Sequence, residues 1–83
     1  MTQFVDENGA AFELISGWHE YTYRKMGKEY IISGEAIVSG LGEYKFGRAF
    51  WLRTSRIPHS DEAMVRHDIE TAFAAMNGKA VFE

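Results

Sequence analysis

The chain has 83 residues, with nine Lys and Arg against twelve Asp and Glu, three His and a formal net charge of −3. That length allows one domain and one core. The hydrophobic fraction of 46% with only mild charge argues against disorder, and the acidic balance is unlike the strongly basic footprint of a dedicated nucleic-acid binder. The absence of cysteine excludes a disulfide scaffold and a thiolate zinc site, and it fits a reducing compartment.

The opening residues carry neither a basic stretch nor an apolar run of signal-peptide type, and no segment approaches the ~20 apolar residues of a membrane span. A cytoplasmic location is the default expectation. Six Phe, four Tyr and two Trp are many for so short a chain; aromatic side chains carry enough apolar area to build a small core.

In chain order, Asp6-Glu7-Asn8-Gly9 is a turn signal. Ala10 to Ile15 fits either a short helix, capped near Asn8 and stopped at Gly17, or a strand, because a short apolar run is ambiguous by periodicity. Strands are expected over about 18–25, 28–38 and 43–56. Met26-Gly27 is a two-residue turn between the first two, although Met is a poor residue where a type I′ turn needs positive φ. This register pairs Arg24 with Glu29, Tyr23 with Tyr30 and Tyr21 with Ile32, matching acid with base and ring with ring. Lys25 opposite Lys28 counts mildly against it.

A Gly40-Leu41-Gly42 loop leads into the next strand and predicts Val38 opposite Tyr44, Ala36 opposite Phe46, Ile32 opposite Phe50 and Ile31 opposite Trp51. After Pro58, a helix over about 60–77 is expected, with Ser60 as N-cap and Asp61 and Glu62 in the first turn. Val65, Ile69, Ala72, Phe73 and Met76 form its apolar stripe, and Asn77-Gly78 ends it. Ala80 to Phe82 could add an edge strand. The expected class is α+β: a three- to four-stranded antiparallel β-meander with a C-terminal helix on one face and, on one reading, a short N-terminal helix.

With that N-terminal helix, the element order resembles the topology of double-stranded RNA-binding domains. That family presents a lysine-rich start of its last helix to phosphate. Here the corresponding residues are Ser60, Asp61 and Glu62, so the resemblance implies nothing about function.

Strand alternation separates two faces. One carries Tyr21, Tyr23, Tyr30, Ile32, Phe50 and Leu52 and suits the helix as a core. The other carries Trp18, Thr22, Ile31, Ile37, Ala49 and Trp51 among Glu20, Glu29, Glu35, Lys45 and Arg53. A solvent face should be mostly polar. Either the N-terminal segment folds over it, or it is a docking face for a protein partner or a second copy of the chain, since Trp and Arg dominate interface hot spots. The expected contact set is Trp18, Thr22, Ile31, Trp51, Arg53 and Lys45, with Trp51 as anchor.

The run 44–56 is rich in aromatics and cations and suggests nucleic acid as the alternative partner. Alternation puts only Lys45 and Arg53 beside Trp51, however, among as many carboxylates. Arg48 belongs to the core face, either reaching to water at its edge or forming an anion or carboxylate site above Gly34. His19, His59 and His67 lack metal-ligand spacing, and His67-Asp68 reads as solvated helix surface. No nucleophile–base pair or phosphate loop stands out, so neither catalysis nor a cofactor is expected. Small, mildly acidic single domains of this style occur among phage and mobile-element accessory proteins, many of which inhibit a host defence or regulatory protein by occluding its surface.

Overall fold

A computed structural model of the protein describes residues 2–37, 46–52 and 55–82. Among them are six strands and one helix: β1 (Gln3–Val5), β2 (Ala11–Ser16), β3 (Glu20–Lys25), β4 (Lys28–Ile37), β5 (Phe46–Trp51), α1 (His59–Ala75) and β6 (Gly78–Phe82). They form one sheet in the order β1-β2-β3-β4-β5-β6, antiparallel from β1 to β5, with β6 parallel to β5. A parallel neighbour needs a crossover connection, and α1 supplies it. The α+β class stands, but the sheet has six strands rather than three or four. No helix among the described residues is long and apolar enough to cross a membrane.

The ambiguous N-terminal segment is a strand hairpin. Phe12 and Leu14 point into the core while Ala11, Glu13 and Ile15 alternate outward, which is the period of a half-buried strand. The topology therefore differs from the double-stranded RNA-binding order. The hairpin turn is closed by Asp6: its Oδ1 accepts the backbone N–H groups of Asn8 (2.9 Å) and Ala10 (2.8 Å). An aspartate bonding its own downstream backbone is a standard turn former.

The β3–β4 register has Lys25 opposite Lys28, Arg24 opposite Glu29, Tyr23 opposite Tyr30 and Tyr21 opposite Ile32, as the turn and the complementary pairs implied. Met26 takes φ 49° and Gly27 φ 78°, the two positive values a type I′ turn requires. Met26 is thus held in a left-handed conformation that disfavours a side chain.

The β4–β5 register is displaced by two residues from expectation. Phe50 lies opposite Gly34 rather than Ile32, and Trp51 opposite Ser33 rather than Ile31. The physical reason is at Gly34. A Cβ there would stand 2.8 Å from the Ala49 carbonyl oxygen and 3.1 Å from the Phe50 ring, so the ring packs onto bare backbone. At the end of β5, Ser55 Oγ accepts the Ser33 N–H (3.0 Å) and donates to the Trp51 carbonyl (2.6 Å). The expected Gly40-Leu41-Gly42 loop lies outside the described residues.

The helix packs on the face with Phe4, Phe12, Leu14, Tyr21, Tyr23, Ile32, Phe50 and Leu52, contributing Val65, Ile69, Ala72 and Phe73. Phe4, Phe12, Tyr23 and Tyr30 run across the sheet at centroid separations of 5.7, 5.9 and 6.2 Å. Phe50 meets Tyr21 and Phe73 edge-on at 5.3 and 5.5 Å. Offset and edge-on ring pairs of this kind add about 0.5–1.5 kcal/mol each beyond area burial.

The helix begins one residue before Ser60. Pro58 is its N-cap, without a side-chain hydrogen bond, and the Pro58 carbonyl accepts the Asp61 N–H at 2.9 Å. Ser60 is therefore inside the first turn rather than capping it. Asn77, at φ 56°, turns the chain out of the helix into β6.

Candidate functional site

The first polar constellation lies in the core. Lys25 continues the inward alternation of Tyr21 and Tyr23, and its ammonium is buried. Its Nζ lies 2.5 Å from Asp6 Oδ2 and 2.9 Å from Asp68 Oδ2. Asp68 Oδ2 also accepts the Tyr23 hydroxyl at 2.5 Å. Asp68, which the sequence placed on solvated helix surface, is 1% exposed. It falls one turn from Val65 and beside Ile69, within the apolar stripe itself. Its neighbour His67 does face solvent, with Nε2 3.6 Å from Glu7.

Burial alone would push the Lys25 ammonium toward neutrality. The hydrogen bonds and charges of Asp6 and Asp68 more than reverse this, and its pKa is raised. The Lys25 hydrogen bond, with those from the backbone, holds the Asp6 carboxyl below its ordinary range. Burial and the Asp68 carboxylate raise the Tyr23 phenol far above its usual value. Every member of the cluster is satisfied, and no buried side-chain polar atom among the described residues lacks a partner. A lysine held protonated in this way is a poor base and a poor nucleophile; its chemistry here is to join three segments of the chain.

A second tie anchors the first turn of α1. Asp61 accepts the Tyr30 hydroxyl and lies 3.1 Å from Lys28 Nζ. The Tyr30 hydrogen bond, then Lys28, lower the Asp61 pKa. The Lys25–Lys28 juxtaposition is thereby relieved: one cation is buried against Asp68 and the other reaches Asp61.

Among the described residues, no helix covers the opposite face of the sheet. The N-terminal residues do not fold over it; they extend it as β1 and β2. Ile15, Thr22 and Ile31 form one cross-strand row; Val5 pairs with Ala11, separated from that row by Gln3, Glu13, Arg24 and Glu29. Ile31 is 50% and Val5 57% exposed. Trp51 is half-buried and heads a neighbouring row with Ser33 and Glu20, not the row of Thr22 and Ile31. Val81 of β6 and the buried Ala49 lie beside it. Lys45 and Arg53 of the expected contact set lie outside the described residues.

Trp18 stands apart from both rows. It sits in the β2–β3 turn, 86% exposed, with its indole edge-on to His19 at 5.5 Å. It lines a cleft with His19, Glu35 and Arg48. Arg48 is opposite Ala36 and lies over the Tyr21 ring at 5.5 Å. The space expected above Gly34 is filled by Phe50, so Arg48 does not form a site there.

On the open face Arg24 and Glu29 pair with each other at 2.5 Å, and the Glu13 charge also acts on Arg24. Among the described residues no group of three or more His, Cys, Asp or Glu is placed to hold a metal ion. The chain matches no protein family, no curated protein and no solved structure.

Proposed function

We propose that the protein is a small non-enzymatic binding module that engages a protein partner through the open face of its sheet. The observation that carries this reading is the cross-strand row of half-buried Ile15 and Thr22 with exposed Ile31, flanked by Trp51; exposed Val5 lies beyond the polar row of Glu13, Arg24 and Glu29. Burying such side chains stabilises a complex by about 25 cal/mol per Å² of apolar area, less the costs of association. The fold does not need that face covered, because the helix and the buried cluster complete the core on the other side. A module of this kind acts by occupying a surface, which suits an inhibitor of a host protein of the phage accessory type.

The nucleic-acid reading of 44–56 has less support. Arg48 is on the helix face over Tyr21, and the open face around Trp51 carries Glu20 and Glu35. Phosphate binding draws on a surplus of cations.

The test is affinity purification from the organism that carries the gene, with and without nuclease, comparing wild type with Val5→Ser/Ile31→Ser and with Trp51→Ala. A stoichiometric protein that survives nuclease and is lost in the folded variants supports the reading. Sedimentation of the purified protein distinguishes a second copy of the chain. A monomer that captures only nuclease-sensitive material would overturn it in favour of nucleic acid.

A further inference from the structure

Arg48 is the half-buried cation of the described residues whose positive charge is unmatched. Lys25, Lys28, Arg24 and Arg66 each lie against a carboxylate, and Arg56 is exposed to water. Arg48 instead lies over Tyr21, with its guanidinium carbon 5.5 Å from the ring centroid, and it makes no ion pair with a carboxylate among the described residues. A guanidinium held against a ring still has N–H donors to offer an outside acceptor. Arg48 lines a cleft of about 390 Å³.

The opposite wall of the cleft is aromatic and held in place. The Gly17 N–H donates to the Glu20 carbonyl at 2.7 Å, and the Gly34 N–H donates to the His19 carbonyl at 2.9 Å. Trp18, edge-on to His19, therefore projects from a braced turn, although 86% of its surface is in water. An exposed indole costs solubility and gains nothing for the core, and here it lines the same cleft as an arginine that has no ion pair among the described residues. Glu35 also lines the cleft and opposes any anion there. Its charge disfavours a dianion more than a monoanion.

We propose that this cleft binds a carboxylate attached to an apolar or aromatic group, with Arg48 gripping the carboxylate and Trp18 covering the apolar part. The planar, bidentate fit of guanidinium to carboxylate supplies the specificity, and the indole supplies contact area. The site is separate from the row of Ile15, Thr22 and Ile31, and it stands whether or not that row docks a protein. The carboxylate can come from a free small acid or from the C-terminus of a peptide.

The experiment follows Trp18 fluorescence and amide shifts of the whole protein during titration with benzoate, with acetyl-Ala-Ala-Phe, with the C-terminal amide of the same peptide, and with inorganic phosphate. Saturable binding of one or both acids is expected, with shifts centred on Trp18, His19 and Arg48. The amide and phosphate should bind at least roughly tenfold more weakly. Benzoate binding as well as the peptide acid identifies a small-acid site; peptide acid alone identifies a chain terminus. Arg48→Gln should abolish the preference for acid over amide, and Arg48→Lys should restore it only in part, with folding of both variants checked by circular dichroism. Ile31→Ser should leave this titration unchanged. Equal binding of acid and amide, tighter binding of phosphate, an unaltered affinity in folded Arg48→Gln, or no shift at millimolar acid would overturn the proposal.

Discussion

The two faces of this sheet are made by the same strands and end in opposite states. On the helix face, even the charged groups are enclosed: Lys25 and Asp68 are buried as completely as the phenylalanines around them. On the open face, Ile31 and Val5 remain half in water although they are as apolar as anything in the core. Hydrophobicity alone does not assign the faces, since Ile31 and Ile32 are neighbours in sequence with opposite fates. The helix decides. It offers an apolar stripe with one carboxylate, and the sheet face that matches it carries the aromatics and one ammonium. The teaching is that the polar group in the stripe selects the face as much as the apolar ones do.

The sharpest test of that contrast is Asp68→Ala. It leaves the Lys25 ammonium buried against Asp6 alone and the Tyr23 hydroxyl without its acceptor. Breaking a buried ion pair from one side costs about 3–5 kcal/mol, to be read from urea unfolding. Phe50→Ala, at the meeting of four aromatic rings, should cost a similar ~3–5 kcal/mol as a core truncation. By contrast, Ile31→Ser on the open face should change stability by less than about 0.5 kcal/mol while weakening partner capture. A large loss of stability there would mean that the face belongs to the core.

Intermediate in size is Gly34→Ala. The new methyl would meet the Ala49 carbonyl and the Phe50 ring, and crowding of this kind costs about 1–3 kcal/mol. Met26→Asn should go the other way, gaining a few tenths to about 1 kcal/mol, because Asn accepts the left-handed turn conformation that Met26 is forced into.

The polar ties also set a pH window. Asp6 and Asp61 have lowered values, so their contribution is present above the ordinary carboxylate value of 3.8 and is lost as pH falls through the lower folded values. Lys25 has a raised value, so its contribution is full below 10.5 and is lost as pH rises past it. Tyr23 acts in the same direction above 10.0, its ordinary value. Denaturant midpoints measured across pH should therefore show a plateau between the two limits, with Asp6→Asn blunting the acid limb.

Much of this was legible from the residues. The β3–β4 register could be read because a tight turn and three complementary pairs agree on it. The face assignment survived the error at β4–β5 because a slip of two residues preserves alternation. The slip itself is hidden from sequence: glycine opposite an aromatic looks like a gap, and only the folded sheet shows the ring lying on bare backbone. The N-terminal hairpin was ambiguous because six residues of mixed pattern suit both periods. Asp68 and Lys25 were passed over for a simpler reason. Each sits at an inward position by spacing, but a charge is discounted from a core unless its partner is known, and the partners are 43 residues apart. Alternation groups Trp18 with Trp51, but alternation does not extend into a turn.

The ammonium of Lys25 touches a turn near the start of the chain and a helix near its end. Detaching either the β1–β2 hairpin or the helix removes one of the two carboxylates that hold that charge. The hairpin at the sheet edge, which in most small domains would fray first, is thereby enrolled in the global unfolding event. Amide hydrogen exchange in β2 should then track that of α1, and the domain should open as one cooperative unit.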